Sequence, residues 1–176
     1  PEIVLSAPVA GHRLMAKYDL LAVEPGQRGV IVDWKTYRRR PSRQWLSGRL
    51  QTRVYPYLLV RAGSHLNQGH ALEPDAVEMV YWFTDFPDEP ERFRYSATRY
   101  GADEAYLHSL IEEITGLSDT DFEAAEDIKR CRFCRYRSLC ERGIQAGDFL
   151  EAEEEGDVGE EEGISLDYEQ VAEVEY

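Results

Sequence analysis

Two carboxylates and an amine near the start of the chain are spaced so that they could hold a divalent cation beside a phosphate. Asp33-Trp34-Lys35 closes an apolar, β-branched run that begins at Gly29, and Asp19 stands fourteen residues before Asp33. Residues two apart on a strand project from one face, so Asp33 and Lys35 share a side. Residues 13–23 read as a second strand, and Glu24-Pro25-Gly26-Gln27-Arg28-Gly29 reads as the turn between the two. Facing Cβ atoms on antiparallel neighbours lie about 5 Å apart, which brings Asp19 within reach of Asp33. Mg²⁺ and Mn²⁺ prefer hard oxygen ligands and need only one or two protein carboxylates. Such an ion acidifies bound water and stabilises charge during phosphodiester hydrolysis. Lys35 adds a point charge on a flexible stem, suited to orienting water or neutralising a phosphate.

The elements that must position these groups follow from periodicity. From 42 to 61, Trp45, Leu46, Leu50, Val54, Leu58 and Leu59 recur at roughly helical spacing. Gln51 and Tyr55, four apart, fall on one face of that helix, and Pro56 is a blemish within it. Residues 76–84 form a strong strand, 93–98 a partner strand, and 85–90 the loop between them. Leu107, Leu110, Ile111 and Ile114 make a core-facing stripe on a helix over 103–115 that Gly116 ends, and 119–126 forms a short helix. The expected fold is α/β: a central mixed β-sheet flanked by helices on both faces, with Asp19, Asp33 and Lys35 at one end. His65, His70 and His108 have no partner spacing and are read as structural.

Three cysteines crowd into ten residues, Cys131-x2-Cys134-x5-Cys140, among arginines. An odd count and the lack of a signal peptide argue against disulfides. Soft thiolates so close together point to iron–sulfur or Zn²⁺, with plain reduced thiols as the third reading; a four-thiolate cluster needs one more ligand. The net charge of −14 divides unevenly. Residues 148–176 hold 13 acidic side chains and no Lys or Arg, leaving 21 acids against 20 bases in 1–147. Two units result: a nearly neutral core domain over 1–147 and an acidic tail over 148–176 whose composition leaves it disordered. No apolar stretch reaches the roughly 20 residues needed to cross a bilayer, so a cytoplasmic location without membrane contact is expected.

Asp19, then Val32-Asp33-Trp34-Lys35-Thr36, then Gln51-x-x-x-Tyr55, then the three cysteines resemble, in that order, the PD-(D/E)xK nuclease superfamily. Within it the pattern is most similar to the RecB-like exonuclease domain, the subgroup that includes the CRISPR adaptation nucleases. The resemblance covers about 2–140. It implies a restriction-endonuclease-like core, with Asp19 and Asp33 as ligands of Mg²⁺ or Mn²⁺, the Trp34 carbonyl completing the shell, and Lys35 as the catalytic lysine. Gln51 and Tyr55 would then help position DNA or the catalytic groups. It also implies a 4Fe-4S cluster at Cys131, Cys134 and Cys140, with a fourth cysteine supplied from far upstream.

Two features depart from the family pattern. Ala16 replaces a frequent glycine, and the helix that commonly adds a metal-site histidine before the first strand has no room after Pro1, His12 being a poor substitute. The chain is therefore expected to be an N-terminally truncated fragment, inactive as isolated. Beside this centre, Arg38, Arg39, Arg40, Arg43, Arg49 and Arg53 interleave with Trp34, Tyr37, Trp45 and Tyr55. Arginines suit phosphate contacts and aromatics stack on unpaired bases, so these six are the expected DNA-binding residues. The expected activity is metal-dependent DNA hydrolysis in recombination or repair, of exonuclease type. DNA ends or single strands would be the substrate, and helicase, recombination or CRISPR adaptation proteins the partners. An inactive DNA-binding or interaction module on the same scaffold is the alternative.

Overall fold

The computed structural model describes residues 3–121, together with 126, 131, 134 and 136–140. Near its start, Ala10 and Gly11 adopt positive φ, 46° and 79°, and close a tight antiparallel hairpin. Its arms are β1 (Ile3–Val9) and β2 (His12–Tyr18). The next strands are β3 (Leu20–Glu24), β4 (Arg28–Lys35), β5 (Val77–Phe83) and β6 (Phe86–Arg94). They lie side by side in the order β3-β4-β5-β6. The outer pairs are antiparallel and β4 runs parallel to β5, so the sheet is mixed. A parallel pair needs a long crossover, and residues 36–76 supply it. They carry α1 (Arg43–Gly48) and α2 (Leu50–Ala62). A third helix, α3 (Ala97–Gly116), follows β6 and packs against α2.

The core sits where α2 crosses the sheet and the hairpin. Ile31, Met79, Tyr81 and Phe83 meet Leu58 and Leu59, with Leu5, Val9 and Tyr18 closing one side and Leu107 another. Gly29 permits the close approach of α2 to β4. A Cβ there would stand 3.1 Å from Leu59 Cδ2. The fold is thus α/β, a mixed sheet flanked by helices.

Several boundaries differ from the sequence expectation, each for a physical reason. The single strand over 13–23 is two strands in two different sheets, broken at Asp19. Aspartate is a poor strand former, and this one bonds sideways to another strand instead. The single helix over 42–61 is two, with Arg49 extended between them at φ −63°, ψ 140°. Of the expected loop over 85–90, residues 86–90 belong to β6, despite Pro87 and Pro90. Because β6 is an edge strand, a missing N–H need not break a ladder. The strand expected over 93–98 ends at Arg94, and α3 starts at Ala97 because the Ser96 side chain caps it, accepting the Arg99 N–H at 3.2 Å. Of the short helix over 119–126, a 3-10 turn spans Asp119–Asp121. The rest lies almost wholly outside the described residues, as does the acidic segment 148–176.

Leu59 is fully buried against Gly29 and Gly63. Leu59→Ala is expected to lower unfolding free energy by about 2–5 kcal/mol, read from urea denaturation.

Candidate functional site

The site forms where β3 stops short of the end of β4. The β3–β4 register ends at Leu20 opposite Val32, so Asp33, Trp34 and Lys35 run on beyond their neighbour. Asp19 fills the gap: its Oδ2 accepts the Trp34 N–H at 3.0 Å. The N–H and C=O of one strand residue face the same edge, so the Trp34 carbonyl also faces Asp19. Asp19 is exposed, whereas Asp33 is 1% exposed on the face covered by α2.

Two groups hold Asp33. Gln51 Nε2 donates to its Oδ1 at 2.5 Å, and Lys35 Nζ lies 3.0 Å from its Oδ2. The lysine contact is an ion pair, and the buried Oδ2 has no further hydrogen-bond partner. Burial pushes the Asp33 carboxyl up from its ordinary value, the charge and hydrogen bond of Lys35 oppose this, Asp19 adds to the rise, and Arg49 opposes it. Tyr55, one turn after Gln51, packs its ring 4.8 Å from Tyr18, and its carbonyl accepts the Tyr18 hydroxyl at 2.8 Å. The Gln51–Tyr55 face therefore contacts both acid-bearing segments, Gln51 at Asp33 and Tyr55 at the residue before Asp19.

Residues 2–141 match the family model of the PD-(D/E)XK nuclease superfamily. The chain belongs to that superfamily. No curated protein sequence matches it. Among solved structures, one described as the crystal structure of SSO0001 is similar, at 16% identity and a TM-score of 0.46. That likeness covers 82% of this chain and 60% of the other, and is too distant to add to the family assignment.

PD-(D/E)XK nucleases generally use Mg²⁺ or Mn²⁺, and the donor set fits such an ion. Two carboxylates and a carbonyl are hard oxygen donors, water can complete the shell, and Asp33 Oδ2, which meets the Lys35 ammonium and no further hydrogen-bond donor, is a buried acceptor with room for a cation. Among the described residues no three His, Cys, Asp or Glu side chains stand together in a way that could hold a metal ion.

The cysteines do not fit a cluster in the same way. Cys131 is buried, Cys134 half-buried and Cys140 exposed, strung along successive turns in which the Cys134 N–H donates to the Cys131 carbonyl and the Cys140 N–H to the Arg137 carbonyl. They do not converge on a shared metal position.

The six expected DNA-contacting arginines separate by environment. Arg38 and Arg39 are exposed just beyond β4. Arg40 and Arg43 each bind one oxygen of Glu91 at 2.6 Å, and Arg43 also stacks on Phe93. Arg53 pairs with the fully buried Asp103 at 2.9 Å and stacks on Tyr106. Arg49 is 8% exposed, donates to the Tyr37 hydroxyl at 2.9 Å and lies over Trp45. Sequence reasoning passed over Thr52 and Tyr81, both buried beside Gln51 and Asp33. Tyr81 reads as an ordinary core aromatic because parallel pairing with β4 leaves no local signal.

A carboxyl held above its unfolded value binds its proton more tightly in the folded chain. Asp33 therefore contributes stability that is complete below the ordinary carboxyl value of 3.8 and is lost as pH rises through the raised folded one. With divalent ions chelated, the stability of the wild type relative to Asp33→Asn is expected to fall from acid to neutral pH, as followed by urea denaturation; a flat difference would contradict it.

Proposed function

We propose that this domain is a Mg²⁺- or Mn²⁺-dependent deoxyribonuclease that uses Asp19, Asp33 and the Trp34 carbonyl as the metal-binding set and Lys35 as the catalytic amine. The reading is carried by one observation: a buried carboxylate, held at one oxygen by Gln51 and at the other by Lys35, stands beside a second, exposed acid bonded to the same strand. A cation bound there supplies charge neutralisation at the scissile phosphate and acidifies the attacking water. The protein groups do the rest. Gln51 fixes Asp33 through Oδ1, leaving Oδ2 to be shared by Lys35 and the ion. Lys35, whose side chain is 12% exposed, stands 3.0 Å from the buried acid and would place its charge beside the phosphate. The Asp19 hydrogen bond to Trp34 aligns the end of β4, and Tyr55 braces Tyr18.

DNA is proposed to approach over the segment after β4, where Arg38 and Arg39 are exposed, with the half-exposed Trp34 available for stacking. Arg40, Arg43, Arg49 and Arg53 shape that surface through their internal partners. We assign the activity to an exonuclease of RecB-like type acting on ends or single strands in recombination or repair, within the cytoplasm. No helix of the described residues is long and apolar enough to cross a membrane. An iron–sulfur or zinc centre at Cys131, Cys134 and Cys140 requires a further ligand; metal analysis of anaerobically prepared protein tests it, and no step of hydrolysis is routed through it.

The near-complete burial of Asp33 favours one competing reading, a DNA-binding module on this scaffold without turnover. Labelled single-stranded and duplex DNA incubated with Mn²⁺ separates the two. The wild type is expected to cleave, Asp33→Ala to lose about a thousandfold or more, and chelation to abolish the reaction. Equal binding by both proteins with cleavage by neither would instead establish the binding module.

A further inference from the structure

The turn of α2 that carries Gln51 has few means of holding itself. Arg49 before it is extended and makes no side-chain cap, so the first N–H groups of the helix lack that support. Pro56 has no N–H to return to the Thr52 carbonyl, which removes one bond of the helical ladder. No acidic side chain lies in the first turn to favour the helix dipole. Yet Gln51 must hold its amide against Asp33 from this turn.

What anchors the turn is the neighbouring Thr52. Its Oγ1 donates to the Leu46 carbonyl at 2.5 Å and lies 2.7 Å from the Tyr81 hydroxyl. A threonine hydroxyl has one proton, here given to Leu46, so Tyr81 donates in the second contact. Tyr81 is fully buried on β5, in register with Asp33 across the parallel pair. Lys35 Nζ stands 5.8 Å from the centre of its ring, within range of a cation–π contact. One side chain thus touches the lysine with its ring and the Gln51 turn with its hydroxyl. Packing alone would be served by phenylalanine, and a buried hydroxyl is costly unless it is bonded.

We infer that Tyr81 and Thr52 are positioning residues, whose hydrogen bond sets the placement of Gln51 against Asp33. The inference rests on reading the Asp33 site as the nuclease centre. It is tested in the 176-residue chain with Tyr81→Phe, Thr52→Val, Thr52→Ser and the Tyr81→Phe/Thr52→Val double variant. Tyr81→Phe keeps the ring and removes only the hydroxyl, while Thr52→Ser keeps the hydroxyl.

Expected are falls in kcat of about ten- to a hundredfold in Tyr81→Phe and Thr52→Val on labelled DNA with Mn²⁺, with KM held and both variants folded at the assay temperature, although Thr52→Val, which leaves the buried Tyr81 hydroxyl without its acceptor, lowers Tm. Thr52→Ser should retain wild-type kcat, and the double variant should be no slower than its slower parent. The Gln51 side-chain amide resonances should move in Tyr81→Phe and Thr52→Val and stay in place in Thr52→Ser. Unmoved resonances in the first two, or independent and additive losses of kcat, would overturn the positioning role. A wild type that cleaves nothing would overturn the nuclease reading alone, since the resonances still decide the role of the pair. Should Tyr81→Phe fail to fold, the Thr52 variants carry the same comparison.

Discussion

A carboxylate buried on the central strand is the constraint around which the rest of this structure is arranged. Asp33 is shut away from water on β4, where an isolated charge is strongly disfavoured unless compensated. Lys35 compensates from two residues along the same strand and Gln51 from the helix above it. The compensation is incomplete: one carboxylate oxygen keeps no hydrogen bond. A protein concerned with stability alone would place an apolar side chain here, since breaking or half-satisfying a buried ion pair is destabilising. Asp33 Oδ2 keeps lone pairs that no hydrogen-bond donor takes up, and at the neighbouring strand break Asp19 is exposed to solvent.

Helix α2 transmits the scaffold to that carboxylate through two faces. Gln51 and Tyr55 turn toward the acid-bearing segments. Arg53, Tyr57 and Arg61, also four apart, turn toward α3. Arg53 binds Asp103, Tyr57 stacks on Tyr100 with ring centres 5.2 Å apart, and Arg61 pairs with Glu104 at 3.2 Å. Asp103 is fully buried and receives Arg99 and the Tyr95 hydroxyl as well as Arg53, so its charge is well met. On the other side, the Arg40 and Arg43 contacts with Glu91 tie the segment after β4 to the edge strand β6. Four of the basic residues that sequence composition marks as nucleic-acid contacts therefore serve first to lock elements together.

Much of the local order was legible in the residues. The turn over 24–29 is rich in Pro and Gly, Asp33 and Lys35 share a face by strand period, and Gln51 and Tyr55 share one by helix period. Less legible were the boundaries. Strand breaking at Asp19 goes with its side chain accepting the Trp34 N–H of a different strand. Pro87 and Pro90 read as loop, and they sit in a strand because β6 lies at the sheet edge, a fact of topology. The N-cap at Ser96 was a local signal that the apolar stripe further along α3 overshadowed.

Residue types and their spacing alone determined the chemistry on offer: hard oxygen donors, an amine and an amide, each on a periodic element. That follows because period two and period 3.6 are properties of the backbone itself. Only the tertiary structure decided which of these groups meet, that Asp33 is buried while Asp19 is exposed, that four arginines are spent on internal partners, and that Tyr81 stands beneath the site. Those outcomes depend on parallel pairing of β4 with β5 across a long crossover, and contacts between residues so far apart in the chain leave no trace in local pattern.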